Sequence, residues 1–332
     1  MCLQWLKAKL NQRWPSYRDT DNVGGGCRNF HAQNHAGECF YFIADYHART
    51  TMRDAAALRE HVVDVARTYL ALGLDPQKAT LFRQSDVPEV TELAWMLSTV
   101  TGMGLIERAH SYKDKLQNNI RPSVGLFTYP ILMAADILIY DANVVPVGKD
   151  QLQHIEMTQD MATYFNQAFC PENPVLIRPE PRLSKFPYVP GIDGRKMSKS
   201  YGNTITLFMS GKQLRKRVGQ IVTDSTEFGQ PLPRETCTVY KFLELFYTAD
   251  ELEDIAGYYR TGQRDGQPFG YGHAKKVLIE RMTSHFAEAH TRYQELVKNP
   301  DEVEQVLTQG AARARKLART TIDKCKRACG LM

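Results

Sequence analysis

Residues Cys39-Phe-Tyr-Phe-Ile-Ala44 are a short, nearly all-apolar run that stops at Asp45. Such a run is short for a helix and reads as a strand buried on both faces. Leu58, Val62, Val65, Tyr69 and Leu72 follow at spacings of four, three, four and three, one face of an amphipathic helix that Gly73 ends. Ala79–Ser85 is a second strand candidate, and Pro88 opens a second helix through about Val100. Strand, helix, strand and helix in this order call for a parallel sheet with right-handed crossovers.

The theme repeats downstream. Residues 127–140 form an Ala-rich apolar helix, Val144-Val-Pro-Val147 a short strand, and Asp150 through Phe165 another helix. From about residue 206 onward only helical periodicity is visible, broken at Pro231, Pro233 and Gly262–Gly272. The expected organisation is an α/β domain over 1–205 and an all-helical domain over 206–332, without internal repeats. At the other end, Met1–Leu10 reads as helical and Asp21–Gly26 as a flexible turn.

Composition narrows the class. With 43% hydrophobic and 24% charged residues the chain is far from disorder, and its net charge of +5 permits a nucleic-acid partner without demanding one. No run approaches the length of a transmembrane helix, and the N-terminus has no apolar signal core, so no membrane partner is expected. The seven cysteines are odd in number and scattered, without a Cys-x-x-Cys pair. They argue against a disulfide framework or a zinc site and for a reduced, cytoplasmic setting.

Three segments carry chemistry. Lys196-Met-Ser-Lys-Ser200, bracketed by Gly191, Gly194 and Gly202, offers two ammonium groups and several donors on a loop. Nucleotidyl transfer from ATP needs such a mobile cationic segment, because charge builds on the departing pyrophosphate; a solvated basic turn is the alternative. Gly148-Lys149-Asp150 follows directly on the Val144–Val147 strand, where an open α/β sheet binds nucleotides. Asp150 either accepts from ribose hydroxyls or serves only the helix macrodipole.

Asp136 is a lone carboxylate inside the apolar helix Tyr129–Tyr140, costly to bury unless paired. Met133 shares its helix face, so the two suit an aromatic ring with a single donor, such as an indole. An arginine cap on Asp136 explains the same pattern. The C-terminal run Arg313, Arg315, Lys316, Arg319, Lys324, Lys326 and Arg327 faces only Asp323, as either a solvated face or an RNA contact.

Together, Tyr129–Tyr140, Val145–Glu156 and Gly194-Arg-Lys-Met-Ser-Lys-Ser200 resemble the bacterial tryptophanyl-tRNA synthetases, class I enzymes, and Phe42–Ala48 and Gly73-Leu-Asp-Pro with Gln84-Ser85 match as well. The resemblance runs from about residue 37 to the C-terminus. It implies a Rossmann-type catalytic domain followed by a helical domain that meets the tRNA anticodon, in a homodimer. It implies that Asp136 accepts the indole N–H of L-tryptophan, with Met133, Tyr129 and His47 around the ring. Gly148, Lys149 and Asp150 would lie against the ATP ribose and adenine, with Val189 beside the base. Lys196 and Lys199, with Met197, Ser198 and Ser200, would meet the triphosphate, aided by Mg2+. The activity implied is formation of tryptophanyl-adenylate and transfer of the acyl group to tRNA(Trp).

The family also carries a His-x-Gly-His or His-x-Gly-Asn turn near its N-terminus, after a first strand. Residues 1–36 contain neither: His31-Ala-Gln-Asn34 has Gln33 in place of glycine and lies too close to the Cys39 strand. The expectation is that the first strand and this phosphate-binding turn are replaced, as a shifted reading frame would do. Two competing readings follow: a degenerate synthetase that binds tryptophan, ATP or RNA without efficient catalysis, and the sister tyrosyl enzyme.

Overall fold

The computed structural model describes residues 2–6, 38–109, 123–183, 189–198, 201–209 and 211–332, with backbone alone for 2–6 and 150. The His-x-Gly-Asn echo, Lys199 and Ser200 lie outside the described residues.

In chain order the elements are β1 (Cys2–Leu6), β2 (Cys39–Ile43), α1 (Asp45–Ala48), α2 (Ala55–Ala71), β3 (Ala79–Arg83), α3 (Glu89–Val100), α4 (Met103–Glu107), α5 (Val124–Leu138), β4 (Val144–Val147), α6 (Leu152–Phe169) and β5 (Glu180–Leu183). There follow α7 (Gly211–Gly219), α8 (Thr238–Leu243), α9 (Ala249–Thr261), β6 (Gln263–Arg264), β7 (Gln267–Pro268), α10 (Tyr271–His285), α11 (Ala287–Lys298) and α12 (Pro300–Ala328). Strands β1–β5 form one parallel sheet in the order β3-β2-β1-β4-β5.

That order is the doubly wound arrangement expected from alternating strands and helices, with its reversal point between β1 and β4. The strand period of two sorts the side chains. Tyr41, Ile43 and Leu81 enter one apolar cluster with Val62, Ala66 and Leu70 of α2 and with the later helices. Phe40, Phe42 and Phe82 enter the other, against Val90, Leu93 and Leu97 of α3 and Ile131, Ala134 and Ile137 of α5. Asp54 starts α2 by accepting from the amides of Ala56 and Ala57, and Ser123 starts α5 through that of Leu126.

Three expectations need correction. Residues Cys2–Leu6, read as helical, form the central strand β1, paired with β2 along its whole length and touching β4 at Cys2. The first strand is therefore present. Strand β5 carries no strand signal in the sequence, because Glu180-Pro-Arg-Leu183 is polar and mostly exposed; an edge strand tolerates both its charges and its proline. After residue 206 the chain is not purely helical: β6 and β7 form a minimal hairpin around Asp265 and Gly266, whose φ angles of 52° and 73° supply the positive backbone turn that a tight hairpin needs.

The basic tail is more than a simple solvated face. Helix α12 lies along β3, the other edge of the sheet. Arg315 and Arg319 both donate to Glu89, Arg313 to the carbonyl of Pro76, and Lys326 reaches Glu92 at 2.6 Å. Burial opposes ionisation of Glu89, but hydrogen bonds from Arg315 and Arg319 outweigh it and hold the carboxyl below the usual carboxylate range. Lys324 sits 3.8 Å from Asp141. Much of the one-signed charge is thus spent on docking α12.

Candidate active site

In an open parallel sheet, ligands bind beyond the carboxyl ends of the strands near the reversal of strand order. Four of the sequence candidates converge there. Ile43 of β2 pairs with Arg83 of β3, so residues 44–47 and 84–86 leave the sheet side by side. The amide of Tyr46 donates to Gln84 Oε1 at 3.1 Å, and the amide of Ser85 donates to Asp45 Oδ1 at 3.0 Å. The Ser85 hydroxyl closes on the other Asp45 oxygen. Burial pushes the Asp45 carboxyl upward, with these hydrogen bonds pulling the other way.

This latch turns α1 inward and buries His47. Helix α5 brings Asp136 to meet it, with His47 Nε2 2.8 Å from Asp136 Oδ2. Gln84 Nε2 lies 2.8 Å from both Asp136 oxygens. Among the described residues the cap on Asp136 is His47 and Gln84, with no arginine. Asp136 is 1% exposed and Met133, one turn away, is 0% exposed. Burial raises the Asp136 pKa, while His47 and the Gln84 hydrogen bond favour the ionised form. Tyr129 extends the cluster: its hydroxyl contacts His154 Nε2 at 2.5 Å, and its ring stands edge-on to His47 with centroids 6.1 Å apart.

Gly148 follows β4 and precedes a 3-10 turn, Lys149–Gln151, before α6 begins at Leu152. The helix expected from Asp150 thus starts one tight turn later. The Asp150 side chain is outside the description.

The described part of the Lys/Ser segment is a pinned turn. Pro190 bridges Lys196, and the Met197 amide donates to the carbonyl of Val189 at 2.9 Å. Asn203 ties the turn together. Its Nδ2 donates to Asp193 Oδ1 at 2.7 Å and to the Lys196 carbonyl at 3.2 Å, while its Oδ1 accepts from the Ser198 amide at 2.7 Å. Gly191 is required by this clamp, since a Cβ there would lie 2.2 Å from Asn203 Nδ2. Met197, 3% exposed, packs in the cluster that holds Ile205, Leu214 and Val218, so its side chain is an anchor and only its backbone can face a ligand.

Sequence reading singled out His47, Tyr129, Met133 and Asp136, which the fold brings together. It assigned no role to Gln84, Asp45, Ser85, His154 or Asn203. The one available signal was Gln84-Ser85 at the end of an apolar strand, a polar pair aimed at the sheet's carboxyl edge.

The family profile described as tRNA synthetases class I (W and Y) matches residues 24–298. The chain belongs to this family. The synthetase is 46% identical over 312 residues to a protein of Fusobacterium nucleatum named tryptophan–tRNA ligase, covering 94% of each chain. A protein of the same name from Rhodopirellula baltica is 46% identical over 93% of this chain and 95% of its own. The crystal structure of Campylobacter jejuni tryptophanyl-tRNA synthetase complexed with ADP and tryptophan superposes on the synthetase with a TM-score of 0.86, at 40% identity over 99% of both chains.

Proposed function

We propose that the chain is a tryptophan–tRNA ligase, which activates L-tryptophan with ATP and esterifies tRNA(Trp). The observation that carries the reading is the buried Asp136 carboxylate, held by His47 and Gln84 at the end of a doubly wound sheet. A carboxylate offers about four acceptor positions, so these neighbours leave it room for one further N–H. An indole supplies one donor and a large apolar ring; Met133 and Tyr129 are apolar or amphipathic neighbours of the right kind. A tyrosine phenol would place its hydroxyl differently and prefers both a donor and an acceptor, which favours tryptophan over tyrosine.

In this reading the tryptophan carboxylate oxygen attacks the α-phosphorus of ATP as the bond to the β-phosphate oxygen breaks and pyrophosphate departs. The terminal ribose hydroxyl of tRNA(Trp) then attacks the acyl carbon and releases AMP. Gly148, Lys149, Asp150 and Val189 receive the nucleoside. Lys196 and Lys199 meet the phosphates, with Ser198, Ser200 and the Met197 backbone as donors. Mg2+ enters with the triphosphate, because this ion is bound largely through substrate phosphates and its own waters. The helical region, 206–332, receives the tRNA anticodon arm.

A homodimer completes the proposal. Met103, 64% exposed, lies between Gly102 and Gly104 of a hollow also lined by Val100, Leu105 and Tyr164, and Trp95 of α3 is 72% exposed; such exposed apolar groups suit a second copy. No described helix is long and apolar enough to cross a membrane.

Tryptophan-dependent exchange of pyrophosphate into ATP, followed by charging of tRNA(Trp), tests the assignment. Exchange stimulated by tryptophan and not by tyrosine is expected; stimulation by tyrosine alone, or by neither, overturns it.

A further inference from the structure

Among the described residues Asp136 takes hydrogen bonds from two neighbours, and neither is arginine or lysine. We propose that Gln84 is a specificity-determining positioning residue: it aims the Asp136 carboxylate so that its remaining lone pair meets a ring N–H, and so sets the preference for rings that carry a donor. The proposal rests on Asp136 as the indole acceptor and adds the device that makes this acceptor selective.

The orientation of the Gln84 amide follows from its partners. Oε1 accepts from the Tyr46 amide at 3.1 Å, which leaves Nε2 facing Asp136. Reversing the amide would set an NH2 group against a backbone N–H and an oxygen against a carboxylate, two repulsive contacts. Gln84 is 1% exposed and begins the 3-10 turn that leaves β3, so the sheet register fixes its position.

Contact with both carboxylate oxygens at 2.8 Å restrains rotation of the Asp136 side chain. Oδ2 also takes His47, so the less occupied oxygen is Oδ1. An arginine in place of Gln84 would cover both oxygens with a fork of donors and leave less for a ligand. A neutral amide favours the ionised acid while keeping an acceptor open. A site of this kind discriminates strongly against an isostere without the donor, because the buried oxygen then stays unpaired.

Equilibrium dialysis of the full chain tests this without requiring turnover. The probes are L-tryptophan and 3-benzothienyl-alanine, in which sulfur replaces the ring N–H, with ATP binding as a control for the rest of the site. The wild type should prefer tryptophan. In Gln84→Met the tryptophan Kd should rise about tenfold or more, the analogue Kd should stay within about threefold, and ATP binding should persist. The acid limb of the tryptophan Kd profile should also move to higher pH, since a hydrogen bond favouring the carboxylate is gone; loosened packing alone would not move it. Gln84→Glu keeps an acceptor for the Tyr46 amide but faces Asp136 with a second carboxyl, and should bind tryptophan more weakly still at neutral pH. An unchanged preference and unchanged acid limb in Gln84→Met overturn the role, as does wild-type affinity in Gln84→Glu. Loss of ATP binding along with tryptophan binding in both variants would make Gln84 a folding residue and also overturn it. If the wild type shows no preference, or Asp136→Asn retains it, the failure lies with Asp136 as the acceptor.

Discussion

Gly310 of α12 rests against the backbone of Leu81 in β3 so closely that a Cβ at residue 310 would lie 1.8 Å from the Leu81 carbonyl oxygen. An edge strand exposes unpaired backbone groups, and here the C-terminal helix covers that edge at a point where only glycine fits. Gly310→Ala should therefore destabilise the protein by about 3 kcal/mol despite the higher helix propensity of alanine. Gly257, inside α9, has open space around its would-be Cβ, and Gly257→Ala should stabilise by about 0.5–1 kcal/mol. Denaturant titration of both variants reads the contrast, and equal shifts of the same sign would contradict it.

Glu89 anchors α12 through Arg315 and Arg319. Glu89→Gln should cost about 1 kcal/mol, a modest figure because Arg319 is 62% exposed and Arg315 35%. Since the folded-state pKa of Glu89 is depressed, its contribution is present above the unfolded carboxylate pKa and is lost as pH falls through the folded value. The difference in stability between wild type and Glu89→Gln should shrink on acidification, which chemical denaturation across pH would reveal.

Asp136 has the opposite shift, and two properties should diverge as a result. Its pKa is raised by burial, so its contribution to stability is fully present below the unfolded pKa and declines as pH rises through the folded value. Tryptophan binding needs the ionised acceptor, and should weaken on acidification from a pH above the usual carboxylate range. Calorimetric tryptophan binding between about pH 4 and about pH 7 checks this; an affinity flat over that range would remove the carboxylate from the binding step. Asp136→Ala should weaken tryptophan by about a hundredfold.

Asn203 holds the turn that carries Lys196 and Ser198 with three hydrogen bonds. Removing them in Asn203→Ala should raise the KM for ATP about tenfold or more and leave tryptophan affinity unchanged. A parallel loss of both would show that the clamp supports the whole domain instead.

The sequence alone determined the repeated strand–helix order and the position of the lysine-bearing turn. It also marked Asp136 as anomalous, since burying a charge in an apolar helix has a cost that local pattern makes visible. Neighbouring residues carry all of these signals. The tertiary structure decided what lies far apart along the chain. Cys2–Leu6 is a strand because β2 and β4 flank it, and pairing overrides a short helix-like pattern. The partners of Asp136 come from 52 and 89 residues away, brought to it by the register of β2 and β3. The basic tail finds Glu89 more than two hundred positions upstream, so its charges read as open until α12 is laid along the sheet. Periodicity reports which face of an element is buried; only packing determines what that face meets.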